Sequence, residues 1–426
     1  MAEPSLVDLA DQIVKSATKL QQQLKDLSAP QPSFEAGGPK GYPTDPAIYE
    51  TRDALIDASK AMLDLARGPT EHIKSILGIE RLNLGVLRTV DHFNIAEIVP
   101  HQGSISFPEL SARLKVDQPL LERFMKYAFT MRLFRMTDDG RIAHTSFSEA
   151  LPSLSPWTRL VTHELFARSV SKFPESLEVW SDEPAGTDSQ RQQVPFTLAH
   201  GMDSKVWSML GSEIGMDAFS AAMESYANSV QGLFMKQLAH GYDWASLETG
   251  PVVDVGGGNG YVDVAMAKKF PNVHFTVQDQ VSNEAVANRL IPADLKDRIN
   301  FQVQDFFSPQ PCDLVPKAYL VKSVLHDWPD ADCIRILQTL TPAMEKYGTK
   351  LFIVDRALPS KPGEIAMHAE ALARGADLNM FSLFGAKERS RSEWERLIEG
   401  VHPRLRIMKC EVPNGMVWAL LTIEMV

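Results

Sequence analysis

The stretch PVVDVGGGNGY at residues 251–261 decides the fold of this 426-residue chain. Its first five residues are mostly apolar, which favours a buried strand, and the residues from Tyr261 to Phe270 are predicted to form a helix. The glycines between them carry no side chains, so a ligand can contact the backbone beside the free N–H groups at the helix N-terminus. The stretch therefore predicts a strand, a loop and a helix that bind a nucleotide-like ligand.

The loop has the spacing D-x-G-x-G-x-G, formed by Asp254, Gly256, Gly258 and Gly260. A nicotinamide-binding fingerprint requires the spacing G-x-G-x-x-G. Counted from the first glycine, its last position falls on Tyr261, and counted from Gly258 it falls on an aspartate. The loop therefore does not match the nicotinamide fingerprint.

Strands and helices alternate on both sides of this loop, which predicts an α/β fold whose parallel sheet is covered by helices on both faces. A long helix is expected over Ala331 to Tyr347. Further strands are predicted over Val273–Gln278, Ile299–Val303, Ala318–Ser323 and Lys350–Val354. Two terminal runs, Leu405–Val412 and Met416–Glu424, flank Pro413-Asn414-Gly415, a strong signal for an antiparallel hairpin.

The front half of the chain is predicted to be mainly helical. Apolar residues recur at helical spacing through the first thirty residues, so an amphipathic helix is expected there, packed either on its own chain or on a second subunit. A Pro- and Gly-rich linker follows. The next segments predict a winged-helix pattern: helices at Leu82–Ile98, from a capping box at Ser106 and Glu109, and at Gln118–Arg132, then a hairpin around Asp138-Asp139-Gly140.

A winged helix raises the possibility of DNA binding, since its third helix carries Arg123, Lys126 and Arg132. That helix also carries Asp117 and Glu122, and the whole chain has a formal net charge of −11. An acidic surface repels phosphate backbones, so packing or dimerisation is favoured and no nucleic-acid partner is expected.

Composition limits the remaining classes. No long apolar run or apolar N-terminal leader occurs, so no membrane partner is expected and a cytoplasmic location is predicted. The three cysteines, Cys312, Cys333 and Cys410, fit neither a disulfide framework nor a metal knuckle, and they are read as core residues. The histidines form no metal-binding pair, so no protein-built metal site is expected.

Polar residues follow the later strands, where ligands bind in open α/β sheets. Asp279 is placed to accept the hydroxyls of a ribose. Asp305 could accept an adenine amino group while the ring of Phe306 packs on the base, and Lys322 ends the fourth strand. Singly, each aspartate could be a turn or capping residue; together at successive strand ends they favour ligand binding.

His326 lies in the segment KSVLHDWP, directly after the fourth strand and on the same edge of the sheet as the glycine loop. A lone histidine is usually structural, but this position is suited to acid–base chemistry. An ordinary histidine pKa of about 6.5 would allow it to remove a hydroxyl proton near neutral pH. It is therefore the candidate general base.

The sequence resembles the fungal and plant family of class I S-adenosylmethionine-dependent small-molecule O-methyltransferases. The resemblance is carried by DVGGGNGY at 254–261, QD at 278–279, QDFF at 304–307, VLHDWPD at 324–330 and DLNMFSLFGAKERSRSEW at 377–394. It implies a Rossmann-like methyltransferase sheet over residues 156–426, after a winged-helix dimerisation domain at 46–155 and an N-terminal helix and linker at 1–45. It also implies S-adenosylmethionine as cofactor and a homodimer.

The resemblance implies that His326 is the general base and that Asp355 and Glu388 orient it. The family often has Glu where Asp355 stands, and Glu388 could instead be a surface ion-pair residue beside its charged neighbours. Glu393 is expected to be structural, in a capping box with Ser390. The acceptor-pocket candidates are Trp328, Asn379, Met380 and Phe384, with His163 as a further candidate in an apolar helix.

The expected function is methyl transfer to a hydroxyl of a small aromatic or polyketide-type secondary metabolite. One alternative within the fold is a methyltransferase-like pericyclase, cyclase or dehydratase that binds S-adenosylmethionine without transferring its methyl group. A winged-helix DNA-binding regulator is the alternative from another class.

Overall fold

The computed structural model describes residues 4–182, 193–247, 250–412 and 418–426. The chain forms two compact units. The first comprises residues up to His163 together with Ala221–Ser229, and the second comprises Glu164–Ser220 and Val230–Val426.

The first unit is mainly helical. Its helices are α1 (Leu6–Asp26), α2 (Pro46–Ser75), α3 (Arg81–His92), α4 (Ile95–Ile98), α5 (Phe107–Leu114), α6 (Gln118–Thr130) and α7 (Ser146–Val161). The predicted amphipathic helix is α1, which begins at a Ser5 capping box and packs on its own chain where Leu20 and Leu24 meet Ile48 of α2. The helical pattern of α2 is interrupted at Gly68, which has a φ of 69°.

Two elements of the winged-helix prediction are present in the first unit. The capping box of Ser106 and Glu109 begins α5, and strands β1 (Phe134–Met136) and β2 (Ile142–His144) pair as an antiparallel hairpin. The single helix predicted over Leu82–Ile98 is wrong, because the left-handed backbone at Asn94, with a φ of 50°, separates α3 from α4.

The second unit begins with helices α8 (Glu164–Val170), α9 (Phe173–Asp182), α10 (Pro195–His200) and α11 (Val206–Met209). Helix α12 (Met216–His240) runs through both units. The helices that accompany the large sheet are α13 (Tyr261–Lys269), α14 (Val281–Leu290), α15 (Asp330–Gln338), α16 (Thr341–Tyr347), α17 (Met367–Phe384) and α18 (Arg391–Val401).

Among the described residues of the second unit, the sheet has eight strands. They are β3 (Pro251–Val255), β4 (His274–Asp279), β5 (Ile299–Val303), β6 (Ala318–Lys322), β7 (Lys350–Leu358), β8 (Arg389–Ser390), β9 (Leu405–Glu411) and β10 (Trp418–Met425). Their order is β5-β4-β3-β6-β7-β10-β9, with β8 added parallel to β7. Strands β3 to β7 are parallel and β10 runs antiparallel to both neighbours. The topology switches at β3, where β4 and β6 flank the glycine loop.

Both faces of the sheet are buried, as the parallel-sheet prediction requires. One apolar cluster contains Trp244, Val252 and Phe275, and the other contains Val253, Tyr319 and Trp394. Neighbouring residues of β3 therefore point into opposite cores.

The second half of the chain differs from the sequence-based expectations at one helix and one cysteine. The helix predicted over Ala331–Tyr347 is wrong: α15 ends before a new helix whose first turn contains Pro342, since proline lacks the N–H needed inside a helix. The terminal strands pair as predicted, but the turn Pro413-Asn414-Gly415 lies outside the described residues. Cys312 is exposed in the segment before β6, so it is not a core residue, whereas Cys333 is buried and Cys410 is half-buried.

Within the described ranges, no helix is both long and apolar enough to span a membrane.

Candidate active site

The glycine loop turns sharply between β3 and α13. The peptide N–H groups of Gly256 and Gly257 donate to the carbonyl of Gln278, at N···O distances of 2.8 and 3.2 Å. Gly256, Gly258 and Gly260 have φ values of 75°, 60° and 76°, which L residues rarely adopt. A Cβ atom on Gly256 would lie 2.7 Å from a methyl group of Val324, so this position also has no room for a side chain.

Asp279 lies against this loop at the end of β4. One of its oxygens accepts the N–H of Gly258 at 2.7 Å, and the other accepts the N–H of Gln280 at 2.7 Å and the side-chain amide of Asn283 at 2.9 Å. These donors fix the carboxylate at the carboxyl edge of the sheet. The position is the one expected for a ribose-binding acid.

Two buried acids lie beneath the loop. Asp254 is the penultimate residue of β3 and Asp263 is in the first turn of α13. Burial raises the pKa of Asp254 to about 6, although the positive charge of Lys322 opposes the shift. Burial and the neighbouring Asp254 raise the pKa of Asp263 well above its usual value. Since two buried carboxylates that lie close together repel each other, burial and this repulsion favour the protonated form of Asp263. Asp263 was not predicted as a site residue.

Asp305 and Phe306 follow β5. The carboxylate of Asp305 accepts the peptide N–H of Phe307 at 3.0 Å, so it forms the turn that sequence reasoning allowed for. The ring of Phe306 lies 5.7 Å from that of Trp328, and Phe307 lies 4.9 Å from the same indole. Trp328, predicted to contact the acceptor, therefore packs beside the predicted adenine-binding segment.

His326 is held in a cluster of charged side chains, called here the histidine cluster, which comprises His326, Asp327, Asp355, Arg356 and Glu388. A short 3₁₀ turn after β6 carries His326, β7 carries Asp355 and Arg356, and Glu388 directly precedes β8. The imidazole Nδ1 lies 3.0 Å from Glu388 Oε1 and 3.4 Å from Asp355 Oδ1. Its Nε2 lies 3.6 Å from Asp327 Oδ1.

Burial and the neighbouring charges act in opposite directions on the pKa of His326. Burial of the ring disfavours its charged form, but the carboxylates of Asp355, Glu388 and Asp327 outweigh this effect and raise the pKa of His326 to about 9. The sequence-based expectation of an ordinary histidine pKa is therefore wrong, because three acids from separate segments surround the ring. Burial raises the pKa of Asp327 to about 7 and also raises that of Asp355.

Glu388 is a buried residue, so the surface ion-pair interpretation is wrong. Burial opposes its ionisation, but His326 and Arg356 lower its pKa to about 2. Its Oε1 accepts a short hydrogen bond from Arg356 as well as contacting His326, and its peptide N–H donates to Asp377 Oδ1 at 2.9 Å. The neighbouring Lys387 pairs with other acids.

A second arginine supports the turn that carries His326. Arg389 is fully buried and donates to the carbonyls of Leu325 and Trp328, both at 2.9 Å. It also contacts Asp330 at 2.7 Å. Glu393 caps α18 together with Ser390, which confirms that interpretation.

The acceptor candidates on α17 are unevenly exposed. Asn379 is exposed and Met380 is half-buried. The ring of Phe384 stacks on Trp207, with centroids 5.4 Å apart, and Trp207 in turn meets Phe219 edge-on. His163 lies in the turn after α7, so its expected place within a helix is wrong; the helix ends at Val161 and Thr162 caps it.

Three side chains of the histidine cluster also lie close enough together to hold a metal ion. Possible ligand atoms of His326, Asp355 and Glu388 all lie within 4.8 Å of one another. Arg356 already supplies a positive charge to Glu388, which disfavours a cation there. The prediction that the protein has no metal site remains a prediction.

The comparisons with known proteins decide the family. The sequence pattern of the family described as "O-methyltransferase domain" matches residues 180–401. The chain belongs to this O-methyltransferase family. O-methyltransferase pgmB of Aspergillus terreus is 32% identical over 99% of this chain and 96% of its own length. O-methyltransferase VdtC of Byssochlamys spectabilis is 33% identical over 88% of this chain and 87% of its own length.

Solved structures show the same fold over nearly the whole chain. OxaC matches with a TM-score of 0.78 at 20% identity, covering 99% of each chain. LepI, solved as a complex with SAM, matches with a TM-score of 0.77 at 20% identity, covering 98% of this chain and all of its own. The chain is thus an S-adenosylmethionine-dependent O-methyltransferase of a small metabolite, and the crowded glycine loop, where Gly256 has no room for a Cβ, fits that cofactor.

The site residues that sequence reasoning missed are mostly charges with a buried partner. Asp263 could have been noticed as an acid inside a helix that is otherwise apolar on its sheet-facing side. Arg356 directly follows the predicted Asp355, and Asp327 directly follows His326. Their sequence positions were visible, but nothing in the sequence indicated that their side chains meet.

Proposed function

We propose that this O-methyltransferase methylates a hydroxyl of a small aromatic or polyketide-type secondary metabolite, with His326 as the general base. One observation carries the proposal: the Nδ1 atom of His326 faces two buried carboxylates, at 3.0 Å from Glu388 and 3.4 Å from Asp355. This arrangement fixes the ring and stabilises its protonated form. It also leaves Nε2 as the nitrogen that does not face these two acids.

The proposed cofactor residues are the loop glycines and the polar residues at the strand ends. In this proposal Asp279 accepts the ribose hydroxyls, Asp305 and Phe306 flank the adenine, and Asp254 and Lys322 lie at the loop itself. Bound S-adenosylmethionine supplies a methyl group on a sulfonium sulfur, which reacts with an oxygen nucleophile without a metal or a covalent enzyme intermediate.

The chemistry of the chain's own residues is a proton transfer. His326 Nε2 would take the proton of the acceptor hydroxyl while that oxygen gains the methyl group, the S–CH3 bond breaks and S-adenosylhomocysteine is the leaving group. The resulting imidazolium is stabilised by Asp355 and Glu388, whose carboxylates are already in place. Trp328, Asn379, Met380, Phe384 and His163 remain the proposed acceptor-contacting residues.

The raised pKa of His326 sets the conditions for this step. With a pKa of about 9, most of the imidazole is protonated near neutral pH, and only the neutral fraction can act as a base. A phenol has a pKa of about 10, so the proton transfer itself is nearly balanced in energy. The proposal therefore predicts a slow enzyme at neutral pH that becomes faster as the solution becomes more alkaline.

The same pKa favours a second candidate function. A protonated His326 can donate a hydrogen bond to a carbonyl oxygen or protonate a leaving group, as a cyclase or dehydratase would require. A solved structure described as "A Pericyclic Reaction enzyme" shares this fold with a TM-score of 0.77 at 20% identity. In that case activity would fall, not rise, as the pH approaches 9.

The direct test incubates the protein with methyl-labelled S-adenosylmethionine and a panel of phenols and enols. Label transfer to an acceptor, with at least a hundredfold loss in His326→Ala and retained cofactor binding, is the expected result. Full activity of His326→Ala would remove the base role. Consumption of an acceptor without label transfer would favour the second candidate.

We also propose that the protein is a homodimer, formed through the first unit. Exposed apolar side chains are concentrated in one segment of that unit, namely Leu63, Leu65, Ile73, Ile76, Leu77, Ile79, Leu82 and Leu84. Such a surface is typical of a protein–protein interface. Sedimentation velocity should show a dimer for the wild type and for Lys60→Gln, and a monomer for Leu77→Glu; a monomeric wild type would contradict the proposal.

A further inference from the structure

Arg356 shares one carboxylate oxygen with the proposed base. Glu388 Oε1 lies 3.0 Å from His326 Nδ1 and accepts a short hydrogen bond from Arg356 at the same atom. All three side chains are buried or nearly so, which leaves little water to screen their charges. A single oxygen therefore interacts with two cationic groups at once.

The guanidinium of Arg356 is held in place from a second side. It lies 4.6 Å from the ring centroid of Trp418, the residue that pairs with Arg356 across β7 and β10. The backbone carbonyl of Arg356 accepts the indole N–H of Trp394 at 3.1 Å. A planar cation between an aromatic face and a carboxylate is a preorganised arrangement.

We propose that Arg356 is a positioning residue for the base: it fixes Glu388 Oε1 against His326 Nδ1 and offsets part of the Glu388 charge, so that His326 loses its proton more readily. This inference rests on the proposed base role of His326. It assigns to Arg356 a function separate from that of Asp355 and Glu388, which stabilise the imidazolium.

Several acidic side chains face His326, and Arg356 offsets part of their negative charge. Asp327 faces the ring from its own turn, Asp355 from β7, and Glu388 from the segment before β8. Asp377 of α17 binds the peptide of Glu388, and Arg389 lies near Asp355 but is paired with Asp330. Three acids thus face the ring, and Arg356 is a cation in direct contact with one of them.

Removal of the Arg356 charge should therefore make His326 a weaker base. In Arg356→Met Glu388 loses the cation that shares its Oε1 with His326, so the pKa of His326 should rise by about one pH unit or more. Each unit lowers the neutral fraction at a fixed pH about tenfold. Arg356→Lys keeps the charge without the planar fork and should leave the pKa within about 0.5 unit of the wild type while lowering kcat.

The experiment titrates His326 by NMR with ring-labelled histidine, in the full chain from pH 6 to 10. The resonance is assigned from its absence in His326→Gln. The acidic limb of the kcat/KM profile should shift upward by the same amount as the titration. Arg391→Met, an exposed arginine paired with Glu395, is the matched control and should change neither quantity.

An unchanged or lowered pKa of His326 in Arg356→Met would overturn the proposal, as would an equal shift in the control. Arg356→Gln, which also lacks the charge, gives the same comparison if the methionine variant does not fold. The titration distinguishes this inference from the base role: if His326→Gln retains full methyl transfer, the base role fails, yet the response of His326 to Arg356→Met still tests the charge balance.

Discussion

The pH dependence of methyl transfer is the sharpest prediction of the histidine cluster. Because Asp355, Glu388 and Asp327 raise the pKa of His326 to about 9 against the effect of burial, the base form is the minor form at neutral pH. At pH 7 about one imidazole in a hundred is neutral. The value of kcat/KM should therefore rise about tenfold per unit from pH 7 and level off near pH 9.

The assay measures the initial rate of S-adenosylhomocysteine formation from pH 6 to 10, with a phenolic acceptor identified by the labelling screen. Ionisation of the phenol itself also increases with pH, so His326→Gln is measured with the same acceptor. The acceptor affects both profiles, whereas His326 affects only that of the wild type. Parallel profiles for the two proteins would refute the reasoning.

The raised pKa of His326 has the opposite effect on stability, since the free energy of unfolding should fall as the pH rises. The folded-state pKa of His326 lies above the unfolded value of about 6.5, so its stabilisation is complete below pH 6.5 and is lost as the pH rises through 9. The difference corresponds to about 3 kcal/mol of unfolding free energy. Urea unfolding at pH 6.5 and 9.5 should show a loss of this order, smaller in His326→Gln. Activity is thus expected to increase over the range in which this contribution to stability declines.

Three further substitutions test the site. Gly256→Ala should cost more stability and cofactor affinity than Gly258→Ala. Both positions have positive φ, which costs an alanine about 1–2 kcal/mol of strain, but only the Cβ at Gly256 would lie 2.7 Å from a valine methyl group. Isothermal titration with S-adenosylmethionine and urea unfolding compare the two variants, and equal effects would contradict the steric argument. Glu388→Gln removes the buried negative charge that contacts both Arg356 and His326, so a loss of about 3–5 kcal/mol is expected in urea unfolding; a neutral effect would show that Glu388 and Arg356 are not coupled. Asp263 has a raised pKa, so its contribution to stability is lost as the pH rises above about 3.8 and through its folded value. Asp263→Asn should therefore lose less stability between pH 5 and 8 than the wild type does; identical slopes would contradict the raised pKa of Asp263.

Much of the second unit could be predicted because local signals and the fold agree there. The strand at 251–255, the loop glycines with positive φ and the capping box at Ser390 all lie where the sequence placed them. The errors occurred where a single residue overrides a longer pattern. Asn94 adopts a left-handed conformation between two helical segments, and Pro342 separates two helices that share one apolar period.

The sequence by itself excluded the nicotinamide fingerprint and located the proposed base, because both depend on residues that are close together in the chain. The S-adenosylmethionine cofactor was implied by the resemblance of several separate motifs to a known family. The spacing of Asp254 and the three loop glycines excluded the nicotinamide fingerprint, and His326 directly follows a predicted strand. These features are local, and local patterns survive without knowledge of packing.

Only the tertiary structure decided the electrostatics of that base. Glu388 lies 62 residues after His326 in the chain. The two meet because β7 pairs with β6, which His326 follows, and the end of β7 at Ala357 and Leu358 pairs with β8, which Glu388 directly precedes. That meeting raises the pKa of His326, buries Glu388 and brings Arg356 onto the same oxygen. Charge interactions depend on distance and burial, and neither is encoded in any short stretch of sequence.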